Sequence, residues 1–102
     1  MIIDIAKEEV PYRFEIEISG KTYGFEINYN SSNDFFTLDL SKNGIVQIVG
    51  ERVLYGKELF IDYPHIDAPR GIVPKDLAGN ETRVTYDNLG ETVFLFVGEE
   101  YE

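Results

Sequence analysis

Apolar and polar side chains alternate along much of the chain. Tyr12, Phe14, Ile16 and Ile18 alternate with Arg13, Glu15, Glu17 and Ser19. A period of two sends successive side chains to opposite faces of an extended strand, here one apolar and one charged. After Gly20-Lys21 the alternation restarts, with Tyr23, Phe25 and Ile27 set against Thr22, Gly24, Glu26 and Asn28. Two such runs around Ser19-Gly20-Lys21 predict a β-hairpin. The polar run Tyr29-Asn30-Ser31-Ser32-Asn33-Asp34 is rich in turn formers and predicts a loop. Phe36, Leu38 and Leu40 then alternate with Phe35, Thr37 and Asp39, and Asn43-Gly44 signals a second hairpin turn. Ile45 to Val49 continue as a strand closed by Gly50. Apolar residues on both of its faces predict a central position in a sheet.

The pattern weakens after Gly50. Val53-Leu54-Tyr55 and Leu59-Phe60-Ile61 read as short strands around a Gly56-Lys57 turn. Pro64 and Pro69 bracket His65-Ile66-Asp67-Ala68, and two prolines that close predict an exposed loop. Arg70 to Asp76 reads as a strand whose Pro74 lacks an N–H, which requires an edge or a bulge. Leu77-Ala78-Gly79-Asn80 turns the chain. Thr82 to Asn88 carries no decisive pattern. Thr92 to Val97 is a closing strand, and the acidic tail Glu99 to Glu102 is expected to fray. No helical stripe of useful length occurs. About six to eight short strands predict an all-β fold, either an antiparallel β-sandwich or a small, partly open β-barrel. With no linker, repeat or low-complexity tract, residues 1–102 form a single domain.

Composition narrows the functions. Nine Lys and Arg face 19 Asp and Glu, a formal net charge of −10. Such a surface repels phosphate backbones and argues against direct binding to DNA or RNA. The absence of cysteine removes disulfides, thiol catalysis and cysteine zinc sites together. His65 is the single histidine, so a multi-histidine metal site cannot be built. The start, Met1-Ile2-Ile3-Asp4-Ile5, is too short and too acidic for a secretory signal, and no stretch approaches the ~20 apolar residues of a membrane helix. Synthesis and folding in a bacterial cytoplasm, without membrane association, are expected.

Each candidate for chemistry has a plainer reading beside it. His65 between Asp62 and Asp67 suggests a metal or acid–base site but lacks a three-ligand constellation, and a solvated loop histidine is the simpler account. Asn30 to Asp34 offers oxygen atoms but a single carboxylate, which suits a turn better than calcium. The Gly-Asn centre of Asp76 to Glu81 is better explained by positive φ. Glu15, Glu17 and Glu26 share the outer face of the first hairpin, where no cleft separates them as glycoside hydrolysis requires. No glycine-rich phosphate loop or nucleophile elbow is present, so no catalytic residue, cofactor or metal is expected. Seven Tyr and seven Phe are many for a small domain. Phe14, Phe25, Phe36, Phe60, Phe94 and Phe96 are expected in the core. Tyr29, Phe35, Tyr55, Tyr63 and Tyr86 sit beside polar loops. Together with Asn33 and His65 they are the expected protein-contact surface, and tyrosines that merely cap strand ends are the plainer reading beside it.

Several of these segments, in this order, carry a resemblance. Val10-Pro11 and Phe14-Glu15-Ile16-Glu17-Ile18-Ser19-Gly20-Lys21-Thr22-Tyr23 resemble the opening hairpin of the baseplate plug family of contractile-tailed phages and prophages. Ile27-Asn28-Tyr29-Asn30, Phe35-Phe36-Thr37-Leu38-Asp39-Leu40, Ile48-Val49-Gly50 and Leu54-Tyr55-Gly56-Lys57-Glu58-Leu59 follow in the same order. So do Gly71-Ile72-Val73-Pro74 and Tyr86-Asp87-Asn88-Leu89-Gly90 before Thr92-Val93-Phe94-Leu95-Phe96, where the family has a Leu-Gly pair ahead of its last strand. The resemblance spans about residues 10 to 98, the Asp62–Pro69 stretch aligning least. It implies a non-enzymatic structural part of the tail baseplate, near the hub, contacting other tail proteins. Assembly as a homo-oligomer around the tail axis is part of that expectation. Two other readings compete with it. An acidic inhibitor or DNA mimic would bind a basic partner, and a ligand-binding barrel would need an open apolar interior.

Overall fold

The computed structural model describes residues 2–98. Among these residues, seven strands form two antiparallel sheets, with no closed barrel. In chain order they are β1 (Ile2–Ile3), β2 (Tyr12–Ile18), β3 (Lys21–Asn30), β4 (Phe35–Lys42), β5 (Ile45–Arg52), β6 (Ile72–Lys75) and β7 (Phe94–Val97). The larger sheet runs β2-β3-β4-β5 and the smaller β1-β7-β6. A short 3₁₀ turn covers Lys7–Glu9.

The larger sheet follows from the alternating pattern. The turn between β2 and β3 is Ser19-Gly20, with φ of 55° and 79°. Asn43-Gly44, at 55° and 78°, repeats this between β4 and β5. Positive φ at both central residues matches the twist of the flanking strands and fixes two-residue hairpins. Register then pairs Phe14 with Phe25, Phe25 with Leu40, Ile27 with Leu38 and Tyr29 with Phe36. Those residues line one face. Arg13, Glu26 and Asp39 form a cross-strand row on the other.

One core joins the two sheets. It contains Phe25, Phe36, Leu38 and Leu40 from the larger sheet and Ile72, Leu95 and Val97 from the smaller. Phe60 fills the space between strands, its ring 6.0 Å from that of Phe25. Of the aromatic residues expected in the core, Phe14 is half-buried because β2 is an edge strand of the larger sheet. Phe94 is half-buried because it points, with Phe96, to the face of β7 opposite the core residues Leu95 and Val97.

Several expectations need correction. Ile45 to Val49 is not central: β5 is an edge strand of the larger sheet. Ile45, Val46 and Val49 are 65%, 56% and 71% exposed. Val53-Leu54-Tyr55 and Leu59-Phe60-Ile61 are not strands. They belong to an irregular segment held by isolated backbone bonds, such as Gly56 N–H to the Pro74 carbonyl at 2.7 Å and Leu59 N–H to that of Ile72 at 2.8 Å. Tyr29 and Asn30 end β3 rather than opening a loop, because Tyr29 pairs with Phe36 and Asn30 with Phe35. The strand expected over Arg70 to Asp76 contracts to Ile72–Lys75, and its Pro74 does lie on an edge. The closing strand begins at Phe94. Ile2–Ile3, unassigned by pattern, pairs with Phe96 and Leu95. The tail Glu99 to Glu102 lies outside the described residues.

The undecided Thr82–Asn88 segment is organised by buried Asn88. Its side chain accepts from Thr85 N–H at 2.8 Å and donates to the Arg83 carbonyl at 2.8 Å. Its own carbonyl accepts the N–H groups of Glu91, Thr92 and Val93, each at 3.0 Å. A buried amide with this many partners replaces a regular ladder.

Candidate protein-contact surface

The loop between β3 and β4 is built around one carboxylate. Asp34 has φ of 56°, a conformation that Asp tolerates better than most residues. Its Oδ1 accepts the Tyr29 hydroxyl at 2.7 Å and the Tyr86 N–H at 2.9 Å. Arg83 approaches Oδ2 at 3.6 Å and donates to the carbonyls of Asn33 and Asp34 at 2.8 and 2.9 Å. The Tyr86 N–H and the Tyr29 hydroxyl hold the Asp34 carboxyl below its ordinary value. The same hydrogen bond, with burial second, pushes the Tyr29 phenol up. In this loop the Asp34 carboxylate is thus held by protein donors, and the Asn30 side chain accepts the Asn33 N–H at 3.1 Å.

Aromatic rings continue from that carboxylate. Tyr29 lies 4.8 Å from Phe36 and 5.1 Å from Tyr86, centroid to centroid. Lys7 sits over Tyr86 at 5.2 Å and donates to its carbonyl at 2.6 Å. On the outer face of the sheet, the Arg52 guanidinium stacks 3.9 Å from the Phe35 ring. An open groove of about 280 Å³ runs beside this pair, lined by Phe35, Arg52, Leu54, Tyr55 and Arg83 among others. The Tyr55 hydroxyl accepts the Asp76 N–H at 3.1 Å, which fixes its ring at the groove.

The structure therefore brings Phe35 and Tyr55 to one groove, and Tyr29, Asn33 and Tyr86 to the loop joined to it by Arg83. Tyr63 and His65 do not line that groove. They sit on the loop that Arg70 clamps through the carbonyls of Phe60, Tyr63 and Ile66, at 2.8, 2.9 and 2.7 Å. His65 is exposed. Its neighbour Asp67 instead anchors both hairpin tips, accepting from Lys42, from the Tyr23 hydroxyl at 3.0 Å and from Lys21 at 3.3 Å. Those donors, Lys42 first and Tyr23 next, hold the Asp67 carboxyl at about 2. Asp76 behaves similarly: its carboxylate accepts the N–H groups of Ala78, Asn80 and Glu81 and shapes the turn at Gly79. No cluster of three metal-ligating side chains occurs among the described residues.

Sequence reasoning missed two features of this surface. Arg52 and Arg83 were invisible as contact candidates because neither stands in a motif. Only the register of β5 and the hydrogen bonds of the irregular segment bring them to the aromatics. Ile45, Val46 and Val49, expected in a central strand, stand exposed on an edge. The available signal was the lack of any charged residue from Asn43 to Gly50 in a chain otherwise rich in acids.

The fold and these surfaces define a class: a small, two-sheet β domain whose accessible aromatics and arginines are the residue types enriched where proteins meet. Over residues 1–100 the chain matches the family described as Cyanophage baseplate Pam3 plug gp18, and it belongs to that family. The family is one of phage baseplate structural proteins, as the resemblance implied. No curated protein matches the chain. Among the described residues, no helix is long and apolar enough to cross a membrane.

Proposed function

We propose that this chain is a non-enzymatic structural component of a phage or prophage tail baseplate, placed near the hub and held there by contacts with other tail-tip proteins. The family match over residues 1–100 carries the reading. The structure supports it: carboxylates that could have served chemistry, Asp34, Asp67 and Asp76, are engaged by donors of the chain itself. The groove beside Phe35 and Tyr55, the Tyr29–Tyr86 pair and the exposed Tyr63–His65 loop are the contact surfaces this reading assigns. An acidic inhibitor draws less support, because Arg13 is paired with Glu26 at 2.9 Å and Arg52 interrupts the same outer face. A mimic of nucleic acid needs uninterrupted rows of negative charge.

Quantitative mass spectrometry of tail particles purified after prophage induction tests the proposal. The chain should be present at a small, fixed ratio to the other tail proteins. Intact, infectious particles lacking it would overturn the reading.

A further inference from the structure

The four sheet edges are not treated alike. β1 offers only two residues. β6 carries Pro74, and two of its carbonyls already accept the N–H groups of Gly56 and Leu59. β2 projects Arg13, Glu15 and Glu17 outward, and charges of this kind discourage strand pairing. β5 alone has none of these protections along Asn43 to Gly50. Three β-branched apolar side chains, Ile45, Val46 and Val49, stand in solvent there. An edge strand also leaves alternate backbone N–H and carbonyl groups unpaired, a template for an added strand.

Charge decides what can fill it. The outer-face row Arg13–Glu26–Asp39 reaches β5 at Gly50, whose N–H donates to Asp39 Oδ1 at 2.8 Å. Gly50 has no side chain to cover that carboxylate. Glu15 and Glu17 stand on the same face. A residue placed opposite Gly50 would face Asp39 across β5 with no intervening side chain, and Arg52 stands two residues further along the same face. A second copy of a chain with net charge −10 would bring like charge to this edge, whereas a basic segment brings complementary charge. The register shifts on both sides of Leu40 limit the regular ladder, so the site suits a short strand rather than a merged sheet.

We propose that the free edge of β5 receives a short, extended segment of another baseplate protein, with β-branched side chains against Val46 and Val49 and a Lys or Arg opposite Gly50. This rests on the baseplate reading and names the surface and the chemistry of its partner. The test replaces Gln47, which is exposed, with the photocrosslinker p-benzoylphenylalanine in assembled tail particles. Crosslinking should join this chain to a different baseplate protein at a segment containing Lys or Arg. Val49→Lys and Asp39→Asn should each lower the crosslinked fraction about fivefold or more, since truncating a central contact or removing a complementary charge weakens docking. Asn keeps an acceptor for the Gly50 N–H, and an unchanged thermal midpoint for both variants separates lost docking from lost folding. Crosslinks only between two copies, or none in particles that contain the chain, would overturn the proposal. Undiminished crosslinking in Asp39→Asn would overturn its basic partner. Particles that lack the chain altogether would overturn the baseplate reading itself.

Discussion

β2 and β5 flank the same two strands, yet they use their residues differently. β2 pairs without interruption from Tyr12 to Ile18 against β3, and every second side chain turns toward the core. β5 pairs with two register shifts and buries only Ile48 and Glu51. β2 therefore spends its apolar residues on folding, and its outward charges keep its edge solvated. β5 leaves Ile45, Val46 and Val49 exposed and carries no charge from Ile45 to Gly50. Both tips answer to one anchor, because Lys21 opens β3 after the first turn, Lys42 closes β4 before the second, and both donate to Asp67. In a small β domain, hydrophobicity in an edge strand does not by itself report burial; the register does.

Truncation of β2 is the severest challenge to this contrast. Ile18→Ala removes a side chain only 3% exposed and should cost about 2–5 kcal/mol, seen as a lower midpoint in denaturant titration. A cost near zero would mean that β2 contributes no more to the core than the exposed part of β5.

Glu51 sharpens the comparison from the other edge. It faces inward opposite Leu38, 8% exposed, and its Oε2 accepts the N–H of Phe60 at 2.8 Å. Phe60 has φ of 65°, an unfavourable conformation for a bulky residue, so this bond helps hold a strained backbone. Glu51→Ala should cost about 2 kcal/mol by leaving a buried N–H unpaired. Glu51→Gln, which retains an acceptor, should cost less than half of that in the same titration.

The shared anchor predicts a pH dependence. The Asp67 carboxyl lies at about 2 in the folded chain against an ordinary value of 3.8. A depressed folded value means that its bonds to Lys42, Tyr23 and Lys21 stabilise the fold fully above that ordinary value, with the contribution lost as pH falls toward about 2. The thermal midpoint should fall over that window. Asp67→Asn should lower the midpoint at neutral pH and flatten the decline between pH 4 and pH 2.

The smallest effect belongs to the free edge. Val49→Lys, at a position 71% exposed, should change stability by no more than about 0.5 kcal/mol by calorimetry. A large loss would place Val49 in a packed environment and abolish the distinction between the two strands.

Local rules made much of the fold readable. The alternation from Tyr12 to Leu40 and the dipeptides Ser19-Gly20 and Asn43-Gly44 act over a few residues, so they fix the hairpins and the inward face of three strands before any tertiary contact forms. Pro74 announced an edge because it lacks an N–H, a property independent of its surroundings. The missing cysteines excluded disulfides and thiol chemistry, which depend on composition alone. Tertiary structure alone decided which strand would be left without a neighbour, since an apolar run such as Ile45–Val49 has the same local preferences at an edge and at a centre. It also decided that Val53–Ile61 would be irregular, because isolated bonds to β6 and the carboxylate of Glu51 are long-range partners with no local signature. The proposed contact surface divides likewise. Tyr29, Phe35 and Tyr86 were visible from their positions beside polar loops, but Arg52 and Arg83 reach them only through register and through Asp34. A chain's local code specifies the faces of its strands, whereas adjacency between distant segments depends on packing free energy summed over the whole core.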